Sequence, residues 1–501
     1  MTVSSTTRAI GREWALAKRD PRVPAVLFVA GLLTVLALLA GDQRVERRLD
    51  RERAIERENS TQRRDLESAF DDAAAPSDGG AELSPAEQDR RAALRMAARS
   101  PDLMRFTGGL WTSYRPASPL SRLTAGTADD WPDAYRHAGS SLAETLRRDA
   151  PTNPLLTVVG PYDTTLLVGA VLPLLLLMLT FDLTADDRER GRWPLVASHC
   201  GSTAALVALR CGVRVAAVAV VVILPTVLWT LAVPAGEAPS VAALAVWCGA
   251  VLGTLACWGA LAFLVASFDL SAAASGLTLL LCWAVLVLGV PSLIERRVND
   301  RAAPPEPGEL AAVERRADEQ FLDLPENVWR DFLRRHPEVE LDDENPQLEF
   351  LLQDLAAAGA VRDRVLEAHR AEIDRFLARE RRLDRLQFLS PAVAWRTASE
   401  QAAGTSLRHA VDLASATAEF HGAFQKHFEP MTITDRELTR DDIRAMPAFD
   451  GRTVGPHMHA APLALSGAAL LLWTAACGLI GWLRFRRRDP FAHSRPSRKA
   501  D

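Results

Sequence analysis

The apolar residues of this chain are gathered into six long runs, and the charged residues are gathered between them. The net charge of −5 and the mean hydropathy of +0.01 resemble those of a soluble protein only because they average over both kinds of segment. A helix needs about 20 apolar residues to cross a hydrocarbon core of roughly 30 Å. Soluble helices rarely stay free of charge over such a length. The segregation therefore predicts an integral membrane protein.

We expect the six runs to form transmembrane helices, numbered TM1 to TM6 in chain order. They cover residues 24–41 (TM1), 164–182 (TM2), 204–232 (TM3), 241–268 (TM4), 272–293 (TM5) and 462–483 (TM6). The predicted fold class is an all-α membrane protein in which these helices are joined to a mostly helical domain outside the cytoplasm.

TM1 follows five basic residues, and this arrangement is also typical of a secretory signal. The apolar run is longer than a usual signal core, however. Residues 37–41 do not form a clean small-x-small cleavage site. We therefore interpret TM1 as a retained anchor.

The short segments at the two ends of the chain are rich in basic residues, which membrane proteins keep in the cytoplasm. These are an amphipathic N-terminal segment (1–23) and a basic tail (484–501). The loop between TM2 and TM3 (183–203, the TM2–TM3 loop) is densely charged and contains three arginines, whereas residues 233–240 contain no Lys or Arg. We predict a multi-pass membrane protein with both termini in the cytoplasm.

Two long polar insertions, 42–163 and 294–461, then lie outside the cytoplasm. The first opens with a highly charged helical pattern that continues TM1, and residues 84–87 predict a further helix start. In the second, apolar residues recur at helical spacing over 348–386, and another helix is predicted over 392–427. These two helices would pack on each other or on the first insertion, giving one composite extracytoplasmic domain.

The six cysteines all lie in spans or on the predicted cytoplasmic side, and neither insertion contains one. A disulfide framework is therefore excluded for the outer domain, which must be held by packing. In the spans we interpret the cysteines as small apolar side chains.

The sequence contains none of the motifs that we associate with catalysis. It lacks a phosphate-binding Gly-rich loop, a His-Glu-x-x-His helix and a Cys-x-x-Cys pair. His457, Met458 and His459 are a possible copper-binding set, but their place in a linker favours a solvated loop. His409, His421 and His427 share a predicted helix without the i, i+4 spacing of a ligand pair, so they are interpreted as packing or surface residues. We predict no enzyme activity, no cofactor and no metal.

Ionisable residues are nearly absent from the middles of the spans, whereas ion-coupled carriers commonly need them there. Asp182, Asp269, Arg210 and Arg214 lie near span ends, where their charges reach the membrane surface. The energy for any transport must therefore come from outside the chain.

Taken together, the order of the spans, the N-terminal Arg12-Glu13-Trp14 and the charged TM2–TM3 loop resemble the ABC-2 type permeases of ATP-driven transporters. The chain is most similar to an uncharacterised subgroup with large insertions between spans one and two and between spans five and six. The matching segments are Asn153-Pro154 with Gly160 and Asp163, Pro173-Leu174-Leu175, Arg188-Glu189-Arg190-Gly191, Leu389-Ser390-Pro391, Gly404-Thr405 and Arg408-His409.

The resemblance implies a permease subunit, a homodimer or heterodimer, that is powered by a separate ATP-binding subunit. In that family the loop after the second span forms a coupling helix in a cleft of the ATPase, with help from the N-terminal interfacial helix. Family loops typically continue Gly-Thr-Leu, whereas Arg192-Trp193-Pro194 follows here. The implied contacts are Arg188, Glu189, Arg190, Gly191 and Arg192 in the loop, and Arg12, Glu13 and Trp14 near the N-terminus.

Export is the direction that the resemblance implies, and the substrate is not specified by the sequence. Two alternatives stay open. The first alternative is a mechanical coupler that transmits ATPase motion to outer proteins without passing a substrate. The second is a non-transporting scaffold or sensor. The expected partners are the ATP-binding subunit, a second permease chain and the lipid bilayer, with no nucleic acid.

Overall fold

The computed structural model describes residues 3–74, 96, 100–106, 111–148, 162–200, 202–233, 238–301, 305–306, 308–339, 346–455 and 457–488. These residues are almost entirely helical, and the sheet that they contain is one short antiparallel pair, Thr112–Tyr114 with Ala134–Arg136. Six of their helices are long and apolar enough to cross a membrane. The predicted all-α, multi-pass membrane protein is confirmed.

The helices of the bundle follow the predicted apolar runs, and two of them extend well beyond those runs. TM2 and TM5 each contain one π-helical turn, where a backbone carbonyl does not make its regular α-helical hydrogen bond. The bounds are Arg22–Ala74 for TM1; Thr164–Leu166, the π turn Leu167–Val171 and Leu172–Thr180 for TM2; Thr203–Ala232 for TM3; Val241–Ala266 for TM4; Ala272–Ala284, the π turn Val285–Gly289 and Val290–Asn299 for TM5; and Ala460–Arg488 for TM6.

TM4 is the most buried span of the bundle. It packs against TM6, TM3 and TM2, and both of its tryptophans, Trp247 and Trp258, are fully buried. TM5 contributes the least buried surface of the six helices. TM4 is therefore the element on which the other spans are assembled.

TM1 continues without a break from its apolar run into the charged segment, as predicted. That segment is rich in Arg and Glu, which favour a helix. Its far part packs on residues of the second insertion: Leu66 is buried beside Phe428, and Arg63 donates a 2.7 Å hydrogen bond to the carbonyl of Arg444.

The two insertions together form a domain with shared hydrophobic clusters, which we call the polar domain. Met104 and Trp111 from the first insertion pack with Phe420 and Phe424 from the second. Leu142 packs with residues of the second insertion in another cluster. The longer helices are Glu309–Phe321, Glu326–Arg335, Pro346–Leu386, Pro391–Ala403 and Leu407–Ile433, and the shorter ones are Pro101–Phe106, Leu142–Thr145 and Arg440–Arg444.

One predicted helix of the second insertion is wrong in its extent. The helix expected over 348–386 is present as Pro346–Leu386, but the one expected over 392–427 is two helices that break at Gly404. Gly404 has a φ of 69°, a left-handed conformation that glycine adopts without a steric penalty. The predicted helix start at 84–87, the matching segment Asn153-Pro154 with Gly160, and the tail after Arg488 lie outside the described residues.

Candidate functional site

The TM2–TM3 loop consists of two short helices, Ala185–Glu189 and Trp193–His199. Gly191 lies between them with a φ of 68°, so the turn uses a conformation that suits glycine. Pro194 occupies the first turn of the second helix, where its missing N–H has no helical partner in any case. The sequence thus builds a compact helical loop rather than an extended one.

Arg188 and Glu189 bind residues of the chain itself, at the turn between TM4 and TM5. The Arg188 guanidinium forms a 2.7 Å ion pair with Asp269 and donates to Thr184 and, at 3.0 Å, to the carbonyl of Ala266. The Glu189 carboxylate accepts a 2.8 Å hydrogen bond from the N–H of Ala272. These contacts fix the loop to two further spans.

A second set of contacts joins the loop to TM3 and to the N-terminal helix, Val3–Ala17. Arg210 of TM3 lies 2.8 Å from Asp187 and 3.6 Å from Glu13. Arg192 also contacts Asp187, at 3.1 Å. Trp14 packs half-buried against the apolar core of the bundle. The N-terminal helix and the loop are therefore parts of one surface.

Arg190, Arg192, Pro194 and Leu195 are among the exposed side chains of this loop. Arg190 and Arg192 point outward beside Asp186, and Pro194 and Leu195 follow on the second helix. Leu195 is 64% exposed, whereas Ala197 of the same helix is buried. We call Arg190, Arg192, Pro194 and Leu195 the loop face.

The structure thus divides the sequence-predicted site residues into two groups. Arg190, Gly191 and Arg192 are exposed, as is Arg12 near the N-terminus. Arg188, Glu189, Glu13 and Trp14 instead contact other elements of the bundle, although the Glu189 side chain is also exposed. Arg190 and Arg192 pair with Asp186 inside the loop. Sequence reasoning missed Leu195, although the Trp-Pro pair before it is a typical helix start.

Helix Pro391–Ala403, which we call the embedded helix, packs into the bundle rather than onto its neighbours in the polar domain. This corrects, for residues 391–403, the prediction that the two helices flanking Ser390-Pro391 bury their apolar faces against each other or the first insertion. Helix Leu407–Ile433, the remainder of the second predicted helix, does pack on helix Pro346–Leu386 and on the first insertion, as predicted. Trp395 is fully buried, and its indole N–H donates a 3.0 Å hydrogen bond to the carbonyl of Thr165 in TM2. Ser390 donates a 2.6 Å bond to the carbonyl of Leu286, in the π turn of TM5.

The embedded helix also contacts the rest of the polar domain through charged groups. Glu400 accepts hydrogen bonds from Arg396 at 2.9 Å and from Thr127 at 2.8 Å. Burial, with the negative charges of Glu400 and Asp384 nearby, raises the pKa of Glu380 to about 7. The embedded helix therefore joins the polar domain to TM2, TM4, TM5 and TM6 at once.

His409 and His427 of the second insertion have structural partners. His409 contacts the Ser406 hydroxyl at 2.8 Å and the carbonyl of His457 at 2.9 Å, and His427 contacts the carbonyl of Asp442 at 2.8 Å. His421 is buried. In the part of the chain that the structure describes, no cluster of three or more His, Cys, Asp or Glu side chains has the arrangement of a metal site.

Comparison with known proteins adds one match, in the polar domain. No curated protein and no solved structure matches the chain. Residues 309–451, less than a third of the sequence, match the family described as Domain of unknown function (DUF3526). This region runs from helix Glu309–Phe321 to the turn that begins at Gly451, and it includes the embedded helix. The chain is thus similar, over this part of its length, to a domain family of unknown function.

Proposed function

We propose that this chain is the permease subunit of an ATP-driven transporter of the ABC-2 type, acting as an exporter. The loop face and both termini lie in the cytoplasm of a bacterium, and the polar domain lies on the opposite side of the inner membrane. A separate ATP-binding subunit docks on the loop face and supplies the energy, and a second permease chain completes the transporter.

The observation that carries this proposal is the attachment of the TM2–TM3 loop. The loop is covalently part of TM2 and TM3, and it is bonded to the TM4–TM5 turn through Arg188 and Glu189. A partner that moves this loop therefore moves four spans together, whereas a loop held only by its ends would bend. Such a loop is suited to transmit motion from a motor that the chain lacks.

The chemistry of the loop face defines the surface that it would fit. Leu195 supplies an exposed apolar side chain, and Arg190 and Arg192 supply positive charge beside it. Interfaces take much of their affinity from a few buried apolar or arginine side chains, and charges around them govern partner choice. We therefore infer a cleft with an apolar floor and an acidic rim on the ATP-binding subunit.

Replacing Leu195 by aspartate is expected to abolish this docking. The affinity-tagged chain, purified in mild detergent from its native membranes, should bring with it a subunit that hydrolyses ATP and is labelled by a photoreactive ATP analogue. We expect Leu195→Asp to reduce the recovered ATPase activity by at least about tenfold, because a charge would enter the apolar part of the interface.

The matched control is Leu322→Asp, which changes a leucine that is 81% exposed in the polar domain. It should leave the recovery of the ATPase unchanged. Recovery of no ATP-binding subunit with the unaltered chain, or equal recovery with Leu195→Asp, contradicts the proposal.

Arg188→Ala should act differently, because Arg188 holds the loop to the TM4–TM5 turn. Loss of its charge-assisted hydrogen bonds is expected to cost about 1.5–3 kcal/mol of stability. Thermal unfolding of the purified protein should show a lower transition for Arg188→Ala, while Arg190→Ala, at a side chain that is 64% exposed, should melt like the parent. Equal melting of all three proteins would show that the loop is not held by Arg188.

A mechanical coupler is the second candidate, and the embedded helix favours it. This helix bonds to TM2 through Trp395 and to TM5 through Ser390, and it continues into the polar domain. Movement of the spans therefore reaches the polar domain directly, whether or not a substrate passes. The test uses vesicles reconstituted with the chain and its ATP-binding subunit. The coupler is favoured if ATP hydrolysis changes the proteolysis pattern of the polar domain while no cargo crosses the vesicle membrane.

A further inference from the structure

Helix Pro346–Leu386 of the polar domain ends at the level where the spans leave the membrane. On its polar side, the Arg382 guanidinium donates a 3.3 Å hydrogen bond to the carbonyl of Arg301, which lies eight residues beyond the apolar run of TM5. Just after the helix, the side-chain oxygen of Gln387 accepts a 2.7 Å hydrogen bond from Ser466, inside the apolar run of TM6. The membrane boundary therefore crosses the chain between Arg382 and Gln387.

The residues that follow Gln387 lie deeper in the membrane. The carbonyl of Phe388 accepts a 2.9 Å hydrogen bond from the indole N–H of Trp473, which lies eleven residues inside the apolar run of TM6. Ser390 is bonded to the carbonyl of Leu286, seven residues inside the run of TM5. Leu389 lies between these two bonds and is 51% exposed. At 1.5 Å per residue it is about 10–16 Å inside the apolar region, where it contacts lipid chains.

The last two turns of the same helix are strongly basic, with four arginines. Two of them bind neutral acceptors: Arg379 donates a 2.9 Å hydrogen bond to the side-chain oxygen of Asn299, and Arg382 donates to the backbone carbonyl described above. The other two, Arg381 and Arg385, are exposed and lie one turn apart on one face of the helix. Among the described residues these two have no ion pair and no hydrogen bond.

The acidic residues of these two turns do not offset the exposed charge. Asp384 forms a 2.6 Å ion pair with Arg408. Glu380 lies one turn before Asp384, on the same side of the helix. Arg381 and Arg385 therefore carry positive charge that no neighbouring carboxylate neutralises, at the level of the membrane boundary. Basic side chains at a membrane surface attract anionic lipids, and the donors of a guanidinium match the oxygens of a phosphate.

A charge at the boundary and an exposed apolar side chain below it together have the chemistry of a phospholipid site. Leu389 follows Arg385 by four residues and lies on the membrane side of it. We propose that Arg381 and Arg385 bind the phosphate of an anionic phospholipid in the leaflet that faces the polar domain, with its acyl chains beside Leu389.

A photoreactive residue at position 389 tests which lipid lies there. The whole chain, with p-benzoylphenylalanine in place of Leu389, is purified, placed in nanodiscs with equal amounts of phosphatidylglycerol and phosphatidylcholine, and irradiated. Mass spectrometry of the crosslinked products gives the ratio of the two lipids at this position. We expect phosphatidylglycerol to exceed phosphatidylcholine by about thirtyfold, because each arginine near a membrane surface contributes a factor of about five.

The variants are made in this photoreactive chain. Arg385→Gln should lower the ratio about fivefold, and the double variant Arg381→Gln/Arg385→Gln should lower it about thirtyfold, to the ratio of the bulk lipid. Both side chains are exposed, so these variants should show the thermal transition of the parent.

Arg370→Gln is the matched control, because Arg370 is an exposed arginine of the same helix that lies about 22 Å farther from the membrane than Arg385. It should leave the ratio unchanged. A ratio near one in the parent, or no lipid crosslink at position 389, would overturn the lipid assignment. A high ratio that persists in the double variant would overturn the assignment of the two arginines.

Discussion

Replacing Trp395 by alanine is expected to destabilise the protein by about 3–5 kcal/mol, the usual cost of removing a buried tryptophan. The indole is fully buried, it packs on Gly169 of TM2, and it lies edge-to-face with Trp247 of TM4 at a centroid distance of 6.0 Å. Its N–H also serves the carbonyl of Thr165, which the alanine variant leaves without this donor. Thermal unfolding in detergent should show a large downward shift of the transition.

Two further variants serve as controls for this measurement. Trp395→Phe keeps most of the buried ring but removes the N–H, so we expect a smaller loss of about 1–2 kcal/mol. Trp482→Ala removes a tryptophan of TM6 that is 37% exposed, and it should change the transition much less. If Trp395→Ala melts like Trp482→Ala, the embedded helix does not contribute to the bundle.

Acidification from pH 7.5 to 5.5 is expected to loosen the polar domain. Burial lowers the pKa of His137 to about 3 and the pKa of His369, His409 and His421 to about 4. An unfolded histidine has a pKa near 6.5, so below this pH the unfolded state binds more protons than the folded state. The contribution of these neutral buried histidines to the free energy of unfolding is complete above about pH 6.5. Below this pH it decreases by on the order of 1 kcal/mol per histidine per pH unit.

The contribution of Glu380 to stability changes with pH in the opposite direction, so it must be added to that of the histidines. Its pKa of about 7 lies above the value for an unfolded glutamate, so its contribution is lost as the pH rises through 7 and is regained on acidification. One carboxylate does not offset four histidines. We expect hydrogen exchange in helix Leu407–Ile433 to accelerate markedly at pH 5.5.

His421→Gln should reduce the histidine contribution to this pH dependence by about a quarter, because it removes one of the four histidines. His199→Gln, in the TM2–TM3 loop, removes an exposed histidine and should have no effect on the polar domain. Exchange in helix Leu407–Ile433 that is equal at pH 7.5 and 5.5 would contradict the assignment of neutral buried histidines.

The spans were predictable because each carries its own signal. An apolar run long enough to cross a membrane needs no knowledge of its neighbours, and the charged helical pattern after TM1 was correctly interpreted as its continuation. The embedded helix has no such signal. It contains Arg396 and Glu400 and is too short to span, so only its contacts with distant helices show that it is buried.

The candidate site was predictable in position but not in its contacts. The charge of the TM2–TM3 loop identified it from the sequence, yet Arg188 and Asp269 are far apart in the chain, and their ion pair depends on the packing of TM4 and TM5. The separation of anchoring residues from exposed ones therefore required the structure. The contact of Arg190, Gly191 and Arg192 with an ATP-binding subunit stays a prediction.

Because helix Arg22–Ala74 is unbroken, a tilt of TM1 in the membrane displaces the distant end of the same helix. From Gly41 to Leu66 it extends about 38 Å beyond its apolar run, at 1.5 Å per residue, and Leu66 is fixed in a core that contains residues of the second insertion. A tilt of about 10° within the bilayer would carry Leu66 and the residues around it through roughly 7 Å. A small rotation among the spans thus becomes a large displacement far from the membrane surface, and no hinge is needed to produce it.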